Sequence, residues 1–143
     1  MSRSLRIALL SLSAALVLAT PGPALGFTSA VTVDSAVFIS KDRLWISGTV
    51  LCTTDPSGLP VTYEIRLSAD QGKGDRVHGN GGTGQVLCEM DGIQTWSAYA
   101  INVGNNFKGG RVTVTADALV CLPTDVPPCP ASPPVTAELK VTR

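Results

Sequence analysis

Leu44, Ile46, Val50 and Cys52 fall at alternate positions of the stretch Leu44-Trp45-Ile46-Ser47-Gly48-Thr49-Val50-Leu51-Cys52. A period of two puts these side chains on one face of an extended strand, so that face can look into a core. Gly48 interrupts the apolar series and reads as a bulge or a point of close packing. The stretch ends in a cysteine, and Cys88 closes a second β-rich run further along the chain. A bond between the two would strap one layer of strands to another.

The compartment follows from the first 26 residues. Arg3 and Arg6 precede an apolar run from Ile7 to Ala19; Pro21, Gly22 and Pro23 then break any helix, and Ala24-Leu25-Gly26 supplies small residues. This is the layout of a secretory leader, with cleavage expected before Phe27. The run is too short to span a bilayer, since about 13 helical residues rise only about 20 Å. Residues 27–143 then form a single secreted domain, released and monomeric. The whole chain is formally neutral, with 11 basic and 11 acidic residues. Loss of Arg3 and Arg6 leaves a slight negative excess. So balanced a composition predicts no nucleic-acid partner and no membrane partner after leader cleavage.

All four cysteines (Cys52, Cys88, Cys121 and Cys129) lie beyond the leader. An even number in an oxidising compartment reads as two disulfides, for which three pairings are open. The pairing 52–88 with 121–129 is favoured, because Cys121 and Cys129 flank a proline-rich loop that can fold back on itself. There is no Cys-x-x-Cys and His78 is the sole histidine, so no metal site is expected.

The rest of the chain is β-like, with frequent Val and Thr and no sustained helical stripe. An edge strand is expected over 28–40, split at Asp34-Ser35, followed by a turn at Lys41-Asp42. Val61, Tyr63, Ile65 and Leu67 alternate inward, with Thr62, Glu64 and Arg66 outward. Asp70 to Gly84 is polar and glycine-rich and reads as a mobile loop around a short edge strand near Arg76–His78. Asp91-Gly92 signals a hairpin. Gln94 to Val103 alternates with an aromatic on each face; Trp96 is placed inside, over the disulfide, where a large ring would shield it. Val112 to Val120 and Val135 to Val141 repeat the pattern. Seven or eight such strands predict an all-β fold, an immunoglobulin-like antiparallel β-sandwich.

Motifs that could carry chemistry are few. Gly79-Asn80-Gly81-Gly82-Thr83-Gly84 spells the dinucleotide fingerprint, but no helix is predicted after it to hold a pyrophosphate. His78 with Ser68 and Asp75 lacks a nucleophile elbow. Asp70, Asp75, Glu89 and Asp91 do not have calcium-loop spacing. Glu64, Glu89 and Glu138 show no spacing that makes any two converge as a glycosidase pair. Lys73-Gly74-Asp75 resembles an adhesion tripeptide. Trp45, on the face opposite the core, is either covered by the first strand or a loop or marks a contact surface. No catalytic residue, cofactor or metal ligand is assigned.

The series Ser47-Gly48-Thr49-Val50-Leu51-Cys52, Gly82-Thr83-Gly84-Gln85-Val86-Leu87-Cys88, Gln94-Thr95-Trp96 and Asn106-Phe107-Lys108-Gly109-Gly110 resembles a group of small secreted actinobacterial β proteins. That resemblance implies an exported, disulfide-bonded β domain with no assigned activity. The Cys121–Cys129 loop is similar to the short disulfide loop of neocarzinostatin-like apoproteins, while the distant pair Cys52 and Cys88 departs from that family. The expected function is a non-enzymatic structural or interaction module with an unidentified protein or small-molecule partner. A carrier of a small apolar ligand is the alternative, and a weak hydrolase the third reading.

Overall fold

The computed structural model describes residues 30–73, 76–122, 125 and 129–142. The expected leader, Gly74-Asp75 of the tripeptide and prolines 123, 127 and 128 lie outside the described residues. The described chain is all-β. Seven strands follow in order: β1 (Ser35–Ser40), β2 (Arg43–Cys52), β3 (Thr62–Gln71), β4 (Val77–Leu87), β5 (Gly92–Asn102), β6 (Gly110–Cys121) and β7 (Val135–Val141). They form one antiparallel sheet in the order β1-β2-β5-β4-β3-β6-β7. The sheet curls almost into a barrel, its two edges meeting through a parallel bridge between Val37 and Thr142. There the Phe38 amide donates to the Thr142 carbonyl at 2.8 Å.

Alternation dictates the interior. Leu44, Ile46, Val50 and Cys52 of β2 are buried, as are Tyr63, Ile65, Leu67 and Ala69 of β3, Trp96, Ala98 and Ala100 of β5, and Val112, Val114, Ala116 and Ala118 of β6. The expected split of the first strand is present. Residues 30–34 bond to β2 through Val31↔Val50, and the register slips by one before Ser35↔Ser47. Gly48 is a close-packing point, because a Cβ there would lie 2.0 Å from the Thr32 carbonyl oxygen. Trp96 is inside as expected, but the register sets it opposite Gly48, whereas Cys52 pairs with Gly92. Its indole NH donates to the Thr49 carbonyl at 3.1 Å.

Two expectations need correction. Of the tract Asp70 to Gly84 expected as a mobile loop, Asp70 and Gln71 end β3 and residues 77–84 lie in an eleven-residue strand, β4, paired with β3 along most of its length. The glycines are there for proximity. A Cβ on Gly81 would sit 1.7 Å from the Tyr99 carbonyl oxygen, one on Gly82 2.5 Å from that of Ile65, and one on Gly79 2.7 Å from the Phe107 ring. Where the β3–β4 register slips, the Thr83 hydroxyl accepts the Ile65 amide at 3.0 Å in place of a carbonyl. The hairpin expected at Asp91-Gly92 also does not zip. Strand β5 pairs with β2 from Gly92 to Ile101 but meets β4 only at Gly79↔Asn102 and Asn80↔Ile101.

Both expected disulfides are formed, Cys52–Cys88 and Cys121–Cys129, and both lie at the same end of the barrel. They fit an oxidising, extracellular environment. Among the described residues no helix is long and apolar enough to cross a membrane. The opposite end is closed by Phe107, which is 2 % exposed and whose amide donates to the Lys41 carbonyl at 2.7 Å.

The close approaches around β4 generate a test. Gly81→Ala is expected to lower the unfolding free energy by about 3 kcal/mol, because backbone must shift to admit the methyl group. Gly84→Ala meets open space but a φ of +67°, and is expected to cost about 1 kcal/mol. Urea denaturation gives both values; equal losses would contradict the packing role of Gly81.

Candidate functional site

The outer face of β1, β2 and β5 is built in rows by the register. Val37, Trp45 and Tyr99 form one row, and Ser35, Ser47 and Ser97 the next; Thr49 and Thr95 follow, with Thr32 of the N-terminal segment beside Thr49. Trp45 and Tyr99 pack edge to face with ring centroids 4.7 Å apart. Trp45 is half-buried, and Tyr99 is 41 % exposed. Trp45 is therefore partly covered, by a ring on a neighbouring strand and not by a loop. That ring belongs to Tyr99, delivered by β5. The sequence pattern carried this signal, since the odd-numbered residues of Gln94–Val103 include Tyr99 and Ile101.

Hydroxyl pairs fix the adjoining rows. Ser35 and Ser47 share a hydrogen bond of 2.6 Å, and Thr32 and Thr49 one of 2.7 Å. Beside the aromatic pair lies a shallow cleft of about 370 Å³ lined by Asp34, Trp45, Ser47, Gly48, Thr95, Trp96 and Ser97. Away from the cleft the face becomes apolar, with Ile39, Ile101 and Val103 exposed. Such a surface can hold a partner through ring faces, apolar contact and hydroxyl hydrogen bonds.

The outer face of β3, β4, β6 and β7 differs in kind. Arg66 is ion-paired to Asp117, and that hydrogen bond raises the Arg66 pKa above its ordinary value. His78 lies on β4, not in a loop. Its Nδ1 contacts the Asp70 carboxylate, because the register sets Asp70 opposite His78. Asp75, the acid considered from the sequence, lies outside the described residues. Ser68 is one row away, opposite Asn80. Glu64, Glu89 and Glu138 sit on β3, in the β4–β5 turn and on β7, respectively. Among the described residues no three His, Cys, Asp or Glu side chains group as metal ligands. The fingerprint Gly79–Gly84 lies within a strand, and β5 follows it.

Asp91 acts locally. Its carboxylate accepts the Thr54 amide and, at 2.8 Å, the Thr54 hydroxyl, tying the turn before β5 to the loop after Cys52. The first of these bonds, then the second, hold its pKa below the ordinary 3.8. No protein-family model, no curated protein and no solved structure matches the chain.

The sign of the Asp91 effect can be tested. A folded pKa below the unfolded one stabilises the fold above the unfolded value, and this contribution is lost as the pH falls through the folded value. Exchange of the Thr54 amide is thus expected to gain an acid-dependent opening below about pH 4, which Asp91→Asn abolishes. A Thr54 amide with the same protection in both proteins at every pH would contradict the tether.

Proposed function

We propose that this protein is an exported, non-enzymatic interaction module whose contact surface is the outer face of β1, β2 and β5. One observation carries the reading: the aromatic pair Trp45–Tyr99 is built onto an open face beside hydroxyl rows, while the described inward-facing residues are buried. A carrier needs a cavity for its ligand, and here the inward residues Leu44, Ile46, Ile65, Val114 and Ala118 are all completely buried. The finer architecture we infer is an immunoglobulin-like sandwich, with β1-β2-β5 as one layer and β4-β3-β6-β7 as the other. The thin β4–β5 seam supports that division. The expected leader and the two disulfides support export.

Two measurements test the reading. A photo-crosslinking residue placed at Ser97 is expected to form adducts in the extracellular medium of the producing cells, and one at Glu138 to form none. Adducts at both positions, or at neither, would remove the basis for choosing this face. In a thermal-shift screen of apolar metabolites the melting temperature is expected to stay flat. A specific ligand far above its Kd would add about 3 kcal/mol, and that result would favour the carrier.

A further inference from the structure

The loops alternate in charge along the chain, and an antiparallel fold sorts them into two poles. At the disulfide end, the loop after β2 carries Asp55, the turn after β4 carries Glu89 and Asp91, and the loop after β6 carries Asp125; none of them contains Lys or Arg. At the Phe107 end the sign reverses. The β1–β2 turn and the first residue of β2 bring Lys41 and Arg43, the β3–β4 connection Lys73 and Arg76 against the single acid Asp75, and the β5–β6 connection and the start of β6 Lys108 and Arg111. The carboxylates described at this end are largely engaged. Asp42 accepts the Ser40 hydroxyl and pairs with Arg43 at 3.6 Å, and Asp70 contacts His78. Among the described residues Lys41, Lys73, Arg76, Lys108 and Arg111 make no salt bridge.

We propose that this basic end docks on an anionic lipid bilayer, with Val103 and Ile101 entering the interface while Arg76, Lys108 and Arg111 engage headgroup phosphates. The charge total misleads here, because polarity and not net charge sets the local field. A cleft of about 330 Å³ at this end is lined by Arg76, Lys108 and Arg111 together with Gln71, Asn106 and small or apolar residues, with no carboxylate among the described residues that line it. Its backbone is fixed: the Gln71 side chain bonds the Lys108 amide at 2.8 Å and the Lys108 carbonyl at 2.8 Å, and Asn105 donates to the Arg76 carbonyl at 2.8 Å. Cations alone would suit any polyanion. The apolar residues beside them select the bilayer: Val103 is 96 % exposed at the start of the β5–β6 connection, Ile39 is 52 % exposed, and Ile101 pairs in register with Arg43. Apolar side chains ringed by Lys and Arg gain from both the acyl boundary and the headgroup charge. This docking is end-on: it takes the apolar margin of the contact face already proposed, at Ile101 and Val103, and goes beyond it by leaving the Trp45–Tyr99 pair and the hydroxyl rows free.

Co-sedimentation of the purified, disulfide-bonded protein with vesicles tests this. Binding is expected to vesicles of phosphatidylcholine with one third phosphatidylglycerol, and not to phosphatidylcholine alone, and is expected to weaken with salt. Arg76→Glu and Lys108→Glu should each lower partitioning at least about fivefold, and Val103→Ser about tenfold. Glu89→Lys, at the other pole, should not lower it. All four sites are exposed, and an unchanged melting temperature verifies folding. The proposal is overturned if the phosphatidylglycerol vesicles fail to sediment the protein, or if both vesicle types bind it equally. It is also overturned if Val103→Ser binds like the parent while inorganic polyphosphate competes, which would assign the cations to a polymer. Self-association abolished by Val103→Ser would instead assign the tip to a second copy.

Discussion

The Cys52–Cys88 bond closes the end of the β4–β5 seam that backbone hydrogen bonds leave open. Strands β4 and β5 are neighbours in the sheet, yet their backbones pair only at Gly79↔Asn102 and Asn80↔Ile101, near the Phe107 end. Toward the other end the two strands part. There the disulfide runs from the end of β2, which is fully paired with β5, to the residue just after β4. Cys88 is itself anchored, its amide donating to the Val61 carbonyl at 2.8 Å. The sulfur bridge thus stands where a ladder of hydrogen bonds would otherwise run. The Asp91–Thr54 contact reinforces the same region.

The contact face and the basic pole both depend on this arrangement. Strand β5 supplies Ser97, Tyr99 and Ile101 to the outer face, and it leads into Val103. Its position relative to β4 is fixed at one end by the glycines, which let the backbones touch, and at the other by the bridge. Asn102 locks the glycine end: its side-chain amide donates to the His78 carbonyl, and its backbone amide donates to the Asp42 carbonyl at 2.8 Å. A β5 free to swing would carry the aromatic pair and the apolar tip with it.

Much of this was legible in the residues. The alternation in β2, β3, β6 and β7 located the strands and their buried faces, since a half-buried strand must repeat every two residues. Both disulfides were read correctly, and of the two readings of Gly48, bulge or close packing, the second holds. What the sequence concealed shares a cause, namely the identity of the neighbour. Glycine in Gly79–Gly84 signals freedom in a loop and tight approach in a strand alike, and only the carbonyls of Tyr99 and Ile65 decide which. Asp91-Gly92 marks a turn without saying that β5 would pair with β2. His78 was considered with Asp75, and the register sets Asp70 opposite it. The charge poles were visible as alternating loop signs, but a sum over the chain erases them.

Amide hydrogen exchange on a protein in which Cys52 and Cys88 are both replaced by alanine tests the central claim most directly. The account predicts a loss of about 4 kcal/mol overall, against about 2.5 kcal/mol for removal of the Cys121–Cys129 bridge. It also predicts that protection falls first at Thr54, Cys88 and the start of β5, with Asn80 and Asn102 still protected. Equal loss of protection at both ends of the β4–β5 seam, or none at the cysteine end, would contradict it.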